Sequence, residues 1–126
     1  MIKYNKVKRG RPGHPEVPEK YYPSLQSTGI VTTRKLAQEA SKMSTLSTAD
    51  MVAAIEALLI LIPEHLINGK RVELGDFGSI WLRFSAEGVE DENKVSGKQI
   101  TTLIPRLMAG KRFLEVLAQA EFQELR

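Results

Sequence analysis

Residues 69–80, Gly69-Lys70-Arg71-Val72-Glu73-Leu74-Gly75-Asp76-Phe77-Gly78-Ser79-Ile80, decide how the chain is read. Gly69, with Asn68 before it, suits the left-handed position that ends a helix and that other side chains resist. Residues 71–74 and 77–84 then have strand composition, and Gly75-Asp76 between them is the dipeptide expected at a tight hairpin turn. Ile80, Leu82 and Phe84 alternate with Ser79, Trp81 and Arg83, so one face is expected to be buried. Trp81 falls on the other face, available for packing or for stacking on a ligand.

Upstream, Ser47-Thr48-Ala49-Asp50 has the form of a capping box with Asp in place of Glu. The helix it opens carries Val52, Ile55, Leu59, Ile62 and Leu66 at alternating steps of three and four. Met51, Leu58, Ile60 and Leu61 are apolar as well, which widens the stripe beyond what one flank of a small monomer can hide. A second copy of the chain is the simplest cover. Pro63 lies inside this pattern and predicts a kink or a local break. An earlier, shorter helix is expected after Thr32 and Thr33, through Leu36, Ala37, Ala40 and Met43.

Downstream, residues 85–97 are polar and flexible, with Glu87, Glu90, Asp91, Glu92 and Asn93 beside Gly88 and Gly97. Strand character resumes over 98–104, Pro105 is expected to stop it, and Gly110-Lys111 introduces a last helix through Phe113, Leu114, Leu117 and Phe122. At the front, residues 1–8 alternate like an exposed strand, and Pro12, Pro15 and Pro18 break regular structure. The order is extension (1–32), helix, helix, hairpin, polar insertion (85–97), strand, helix. That predicts an α+β domain over 33–126, with an antiparallel sheet beside helices.

The 126 residues suit one domain with a tail, and 42% hydrophobic against 26% charged residues is ordinary globular composition. With no cysteine there is no disulfide scaffold, thiolate metal site or thiol nucleophile. The longest apolar run, residues 57–62, is far short of the roughly 20 residues that cross a bilayer. The first residues lack the apolar core of a signal peptide, so a cytoplasmic protein is expected. Residues 1–35 hold eight basic side chains against two acidic ones, a balance of +6; residues 36–126 hold ten against thirteen, a balance of −3. Clustered cations at the front invite an anionic partner. His14 and His65 lack metal-ligand spacing, and no catalytic triad order or phosphate-binding glycine loop appears. No enzyme, cofactor, metal or small-molecule substrate is expected.

Taken together, the two helices and residues 69–80 resemble the bacterial histone-like HU/IHF family, in which a glycine-ended helix leads to a strand, a Gly-x-Phe-Gly turn and a second strand. Residues 104–114, Ile104-Pro105-Arg106-Leu107-Met108-Ala109-Gly110-Lys111-Arg112-Phe113-Leu114, resemble the family's Val-Pro-x-Phe-x-Pro-Gly-Lys segment. Leu107 replaces the aromatic residue and Ala109 the second proline. The tyrosine-bearing extension is similar to the longer variant called HU-HIG. The resemblance implies an intertwined homodimer with two N-terminal helices, a sheet with an arm-like insertion and a C-terminal helix, the sheets forming a saddle whose arms reach around DNA. The family's arm is a basic ribbon tipped by a proline that wedges between base pairs. Here the insertion has no proline, one lysine (Lys94) and four carboxylates.

The resemblance carries a basic role to Arg83 and Lys111, with Arg106 and Arg112 as neighbours that supplement them. Arg9-Gly10-Arg11-Pro12 is similar to an AT-hook core, although a basic loop between two strands explains it equally well and is the reading taken here. The expected function is HU-like binding of double-stranded DNA by a homodimer, with little sequence preference, in the nucleoid of the cytoplasm. Lys3, Lys6, Lys8, Arg9 and Arg11 would supply most of the charge, with Arg83, Lys98, Arg106, Lys111 and Arg112 on the body. The alternative is a dimeric structural or protein-interaction module that kept the fold and lost DNA.

Overall fold

The computed structural model describes residues 1–125. It divides the chain into two compact units: one is Met1–Thr32 together with the chain's end from Val116, the other Thr33–Glu115.

The second unit begins with α1 (Thr33–Lys42) and α2 (Thr48–Ile67). Ser47 Oγ accepts from the Asp50 amide at 3.1 Å, the serine half of the expected box, and Ser41 and Thr48 join the two helices by their hydroxyls at 3.1 Å. Ala37 and Leu66 are the apolar side chains this packing buries, at 0% and 8% exposure. Helix α2 stays helical through Pro63 for four further residues, so the expected local break is absent. Proline deletes only one rung of a ladder that neighbouring rungs continue to hold. The helix then closes as expected: Gly69 has φ +81°, the Lys70 amide bonds the His65 carbonyl at 3.0 Å, and the Gly69 amide bonds that of Leu66 at 3.0 Å. This is the pattern of a Schellman cap.

A three-stranded antiparallel sheet follows, in the order β3 (Val72–Glu73), β4 (Gly78–Ala86), β5 (Ile100–Ala109). Three expectations change here. The connection from β3 to β4 is a 3-10 turn at Gly75–Phe77 rather than a two-residue hairpin turn. The register sets this length: Glu73 is opposite Ser79, so residues 74–78 make the connection, too many for a two-residue turn. Strand β5 runs through Pro105 to Ala109, because it is the sheet's edge and a missing amide there breaks no ladder. The polar excursion between β4 and β5 folds into 3-10 turns at Glu92–Lys94 and Gly97–Gln99, the second with a complete capping box at Ser96 and Gln99.

β4 and β5 give the sheet two faces. Ile80, Leu82 and Phe84 stand opposite Leu107, Pro105 and Leu103 on one of them. The face expected to be buried is largely uncovered: Phe84 is 58% and Leu107 52% exposed. On α2, Leu59 at 54% and Ile60 at 61% are exposed too.

Helix α3 (Lys111–Leu117) leads from the second unit into the first, and Phe113 meets Phe77 edge to face at 4.9 Å. The helix was expected to reach Phe122; it stops at Leu117, and Phe122 starts strand β6 (Phe122–Glu124). In the first unit β6 lies parallel to β1 (Ile2–Arg9), whose other side pairs antiparallel with β2 (Lys20–Gln26). The Ile2 amide bonds the Glu121 carbonyl at 2.8 Å and the Leu125 amide that of Tyr4 at 2.7 Å. These bonds satisfy backbone groups on β1 that would otherwise be unpaired.

Candidate nucleic-acid interface

Strand parity sorts the cations. On β1, Lys6 and Lys8 share a face with Ile2 and Tyr4, while Lys3 and Arg9 project from the other. Lys6 pairs with Glu124 at 3.3 Å and Lys8 with Glu19 at 3.8 Å; Lys8 also lies 5.8 Å from the centre of the Tyr21 ring. Lys3 is hydrogen-bonded to Gln123, and Arg9 stands directly across from Lys20. Arg11 opens the turn between β1 and β2, where its carbonyl accepts the His14 amide at 3.0 Å. The five front-end cations are thus spread over two faces and a turn. Two of them are engaged in exposed ion pairs, which are worth less than about 1 kcal/mol and exchange readily for another anion.

On the body, the register is more economical. Trp81 stands opposite Arg106, and Arg83 opposite Ile104, so Arg83 and Arg106 are diagonal neighbours on the face that also carries Ser79 and Met108. Arg71, just before β3, reaches the same face. Its Nη2 donates to Ser79 Oγ at 2.9 Å, and its guanidinium lies 4.6 Å from the centre of the Trp81 ring. Glu73, opposite Ser79, is the acidic member of the face. Three arginines and a tryptophan therefore occupy one side of a sheet whose other side is aliphatic and aromatic. Arg71 escaped the sequence reading because its place beside Trp81 depends on cross-strand register. The signal was parity: once Val72 is paired with Ile80, Arg71 must share the face of Trp81.

The other expected residues lie apart from this cluster. Lys98 is in the 3-10 turn that ends the polar excursion, and Lys111 and Arg112 open α3. The excursion that precedes Lys98 is acidic, and the Gln99 side chain ties its ends by bonding the Glu87 carbonyl. No cluster of metal-ligating side chains is present among the described residues, and no helix among them is long and apolar enough to cross a membrane.

Comparison with known proteins bears on this arrangement. The model of a family described as HU-HIG, an HU domain fused to a wHTH, Ig or glycine-rich motif, matches residues 1–124. A search of curated proteins finds no match. Among solved structures, the crystal structure of a presumed bacterial DNA-binding protein from Bacteroides vulgatus superposes with a TM-score of 0.67 at 18% identity. That likeness covers 98% of this chain and 47% of the other, so the chain spans about half the length of that relative. A cocrystal structure of Anabaena HU with DNA superposes with a TM-score of 0.55 at 23% identity, over 71% of this chain and 99% of that one. The likeness establishes an HU-like fold.

Proposed function

The chain belongs to the HU-HIG family, and from that premise we propose that two copies pair and bind double-stranded DNA, mainly through its phosphates and with little sequence preference. The observation that carries this reading is the two-sided sheet. Arg71, Arg83 and Arg106 point from one face, while Phe84, Leu103 and Leu107 lie bare on the other. These side chains are about half exposed, so covering the rest of each is worth about 1 kcal/mol, and a second copy laid against this face and the open flank of α2 would be favoured. Pairing doubles the guanidinium face. The protein has no catalytic role on this reading and acts in the nucleoid.

Binding through phosphates releases condensed counterions. If about six phosphates are neutralised per complex, log affinity falls with log salt at a slope near −5. Titrating duplexes of unrelated sequence at several salt concentrations tests this directly. The expected result is that slope, with affinities agreeing within a few-fold between sequences. A salt-independent affinity, or no duplex binding at low salt, would contradict it.

One observation favours a second reading. The excursion carries four carboxylates against Lys94, a charge that repels DNA at the position where an arm would embrace it. A dimeric protein-interaction module would then keep the fold without DNA. A stable dimer that fails to bind duplex even at low salt would select this alternative.

A further inference from the structure

Arg71 differs from the other cations in being already arranged. A guanidinium stacked on an indole uses its flat face and leaves its N–H edge free, and that edge is what a phosphate takes in a paired hydrogen bond. Here the guanidinium carbon lies over the Trp81 ring, 4.6 Å from its centre, and one nitrogen is tethered to Ser79 Oγ at 2.9 Å, with Met108 Sδ 4.0 Å from the same nitrogen. Ser79 is buried, so the anchor is fixed. No carboxylate pairs with Arg71 among the described residues, and the side chain remains exposed. An arginine side chain carries about 2 kcal/mol of rotamer entropy; this one is restrained before any ligand arrives.

We infer that Arg71 is a phosphate-gripping residue of the sheet face and that Trp81 is the positioning residue holding it ready. The inference rests on the DNA-binding reading and names a contact within it. Arg106 stands opposite Trp81 on β5, and Arg71 reaches the ring from the segment just before β3 on its other side, so the ring lies between two guanidinium groups in the register. A merely structural pair would pin the two-residue strand β3 to β4 and leave the salt response of binding untouched.

The test uses the full chain and a fluorescein-labelled duplex, with anisotropy read at several salt concentrations and a thermal melt of each variant. Arg71→Ala is expected to weaken binding about tenfold at low salt and to make the salt slope shallower by about one for each copy engaged. Arg71→Lys keeps the slope but loses a few-fold in affinity, because an ammonium cannot stack or offer a fork. Trp81→Phe preserves a ring for the guanidinium and binds within about twofold of wild type, whereas Trp81→Ala approaches the loss of Arg71→Lys. As the sole tryptophan, Trp81 also changes its fluorescence when duplex is added to the wild-type chain. Wild-type affinity and slope in Arg71→Ala, with wild type itself binding duplex, would overturn the inference and leave the DNA reading standing. Failure of wild type to bind at low salt would overturn both.

Discussion

Two glycines fix the sheet at the residue scale. Gly78 has φ +139°, and a Cβ there would come within 2.1 Å of the Met108 carbonyl; a Cβ on Gly110 would come within 2.2 Å of that of Asp76. The turn at 75–77 and the end of β5 approach through space that only a bare backbone leaves. Gly78→Ala is expected to destabilise the chain by about 2–3 kcal/mol or more, read as a lower urea midpoint. Gly69→Ala, where φ is positive but the space is open, should cost about 1 kcal/mol. Gly69 was legible in the sequence because a helix cap is local chemistry. The Gly75-Asp76 turn was misread because the length of the connection is set by the register of β3 on β4, and Arg71 was missed because its neighbours are set by the same register.

At the scale of elements, Pro63 is expected to kink or break α2 and Pro105 to stop β5, and both elements run on through their prolines. Pro63 leaves one carbonyl of α2 without its rung, and Pro105 lies on an edge strand. Alanine is preferred to proline in a helix interior by about 3 kcal/mol, so Pro63→Ala is expected to raise the thermal midpoint by several degrees, measured by circular dichroism. An unchanged or lower midpoint would mean that the packing around α2 requires the proline. Helix α3 ends short of Phe122 because the chain's end joins β1, a pairing of residues 120 positions apart that no local periodicity records. The polar excursion is an element in its own right. Converting Glu87, Glu90, Asp91 and Glu92 to their amides should tighten duplex binding at low salt, with the gain shrinking as salt rises. The same affinity before and after would place the excursion away from DNA.

For the whole molecule, the α+β class, the two helices and the antiparallel sheet were legible, because composition and periodicity decide what local segments become. The division into units was less so, since strands from both chain ends share one sheet. That division affects how the front end can be tested. Residues 2–9 form the central strand of their sheet, so deleting them removes a structural element as well as charge. Replacing Lys3, Arg9 and Arg11 with glutamine keeps the strand, and should lower affinity and flatten the salt slope while the melting transition stays in place. Affinity unaltered by this replacement would leave the sheet face as the main contact.

With so little of the apolar surface sheltered in one chain, the proposed pairing with a second copy is the step on which the proposed function depends. Sedimentation equilibrium of the purified chain without DNA measures it directly. The expected mass is twice the 14.1 kDa of the single chain, held across the dilution range of the experiment. A compact particle of 14.1 kDa at those concentrations would contradict it.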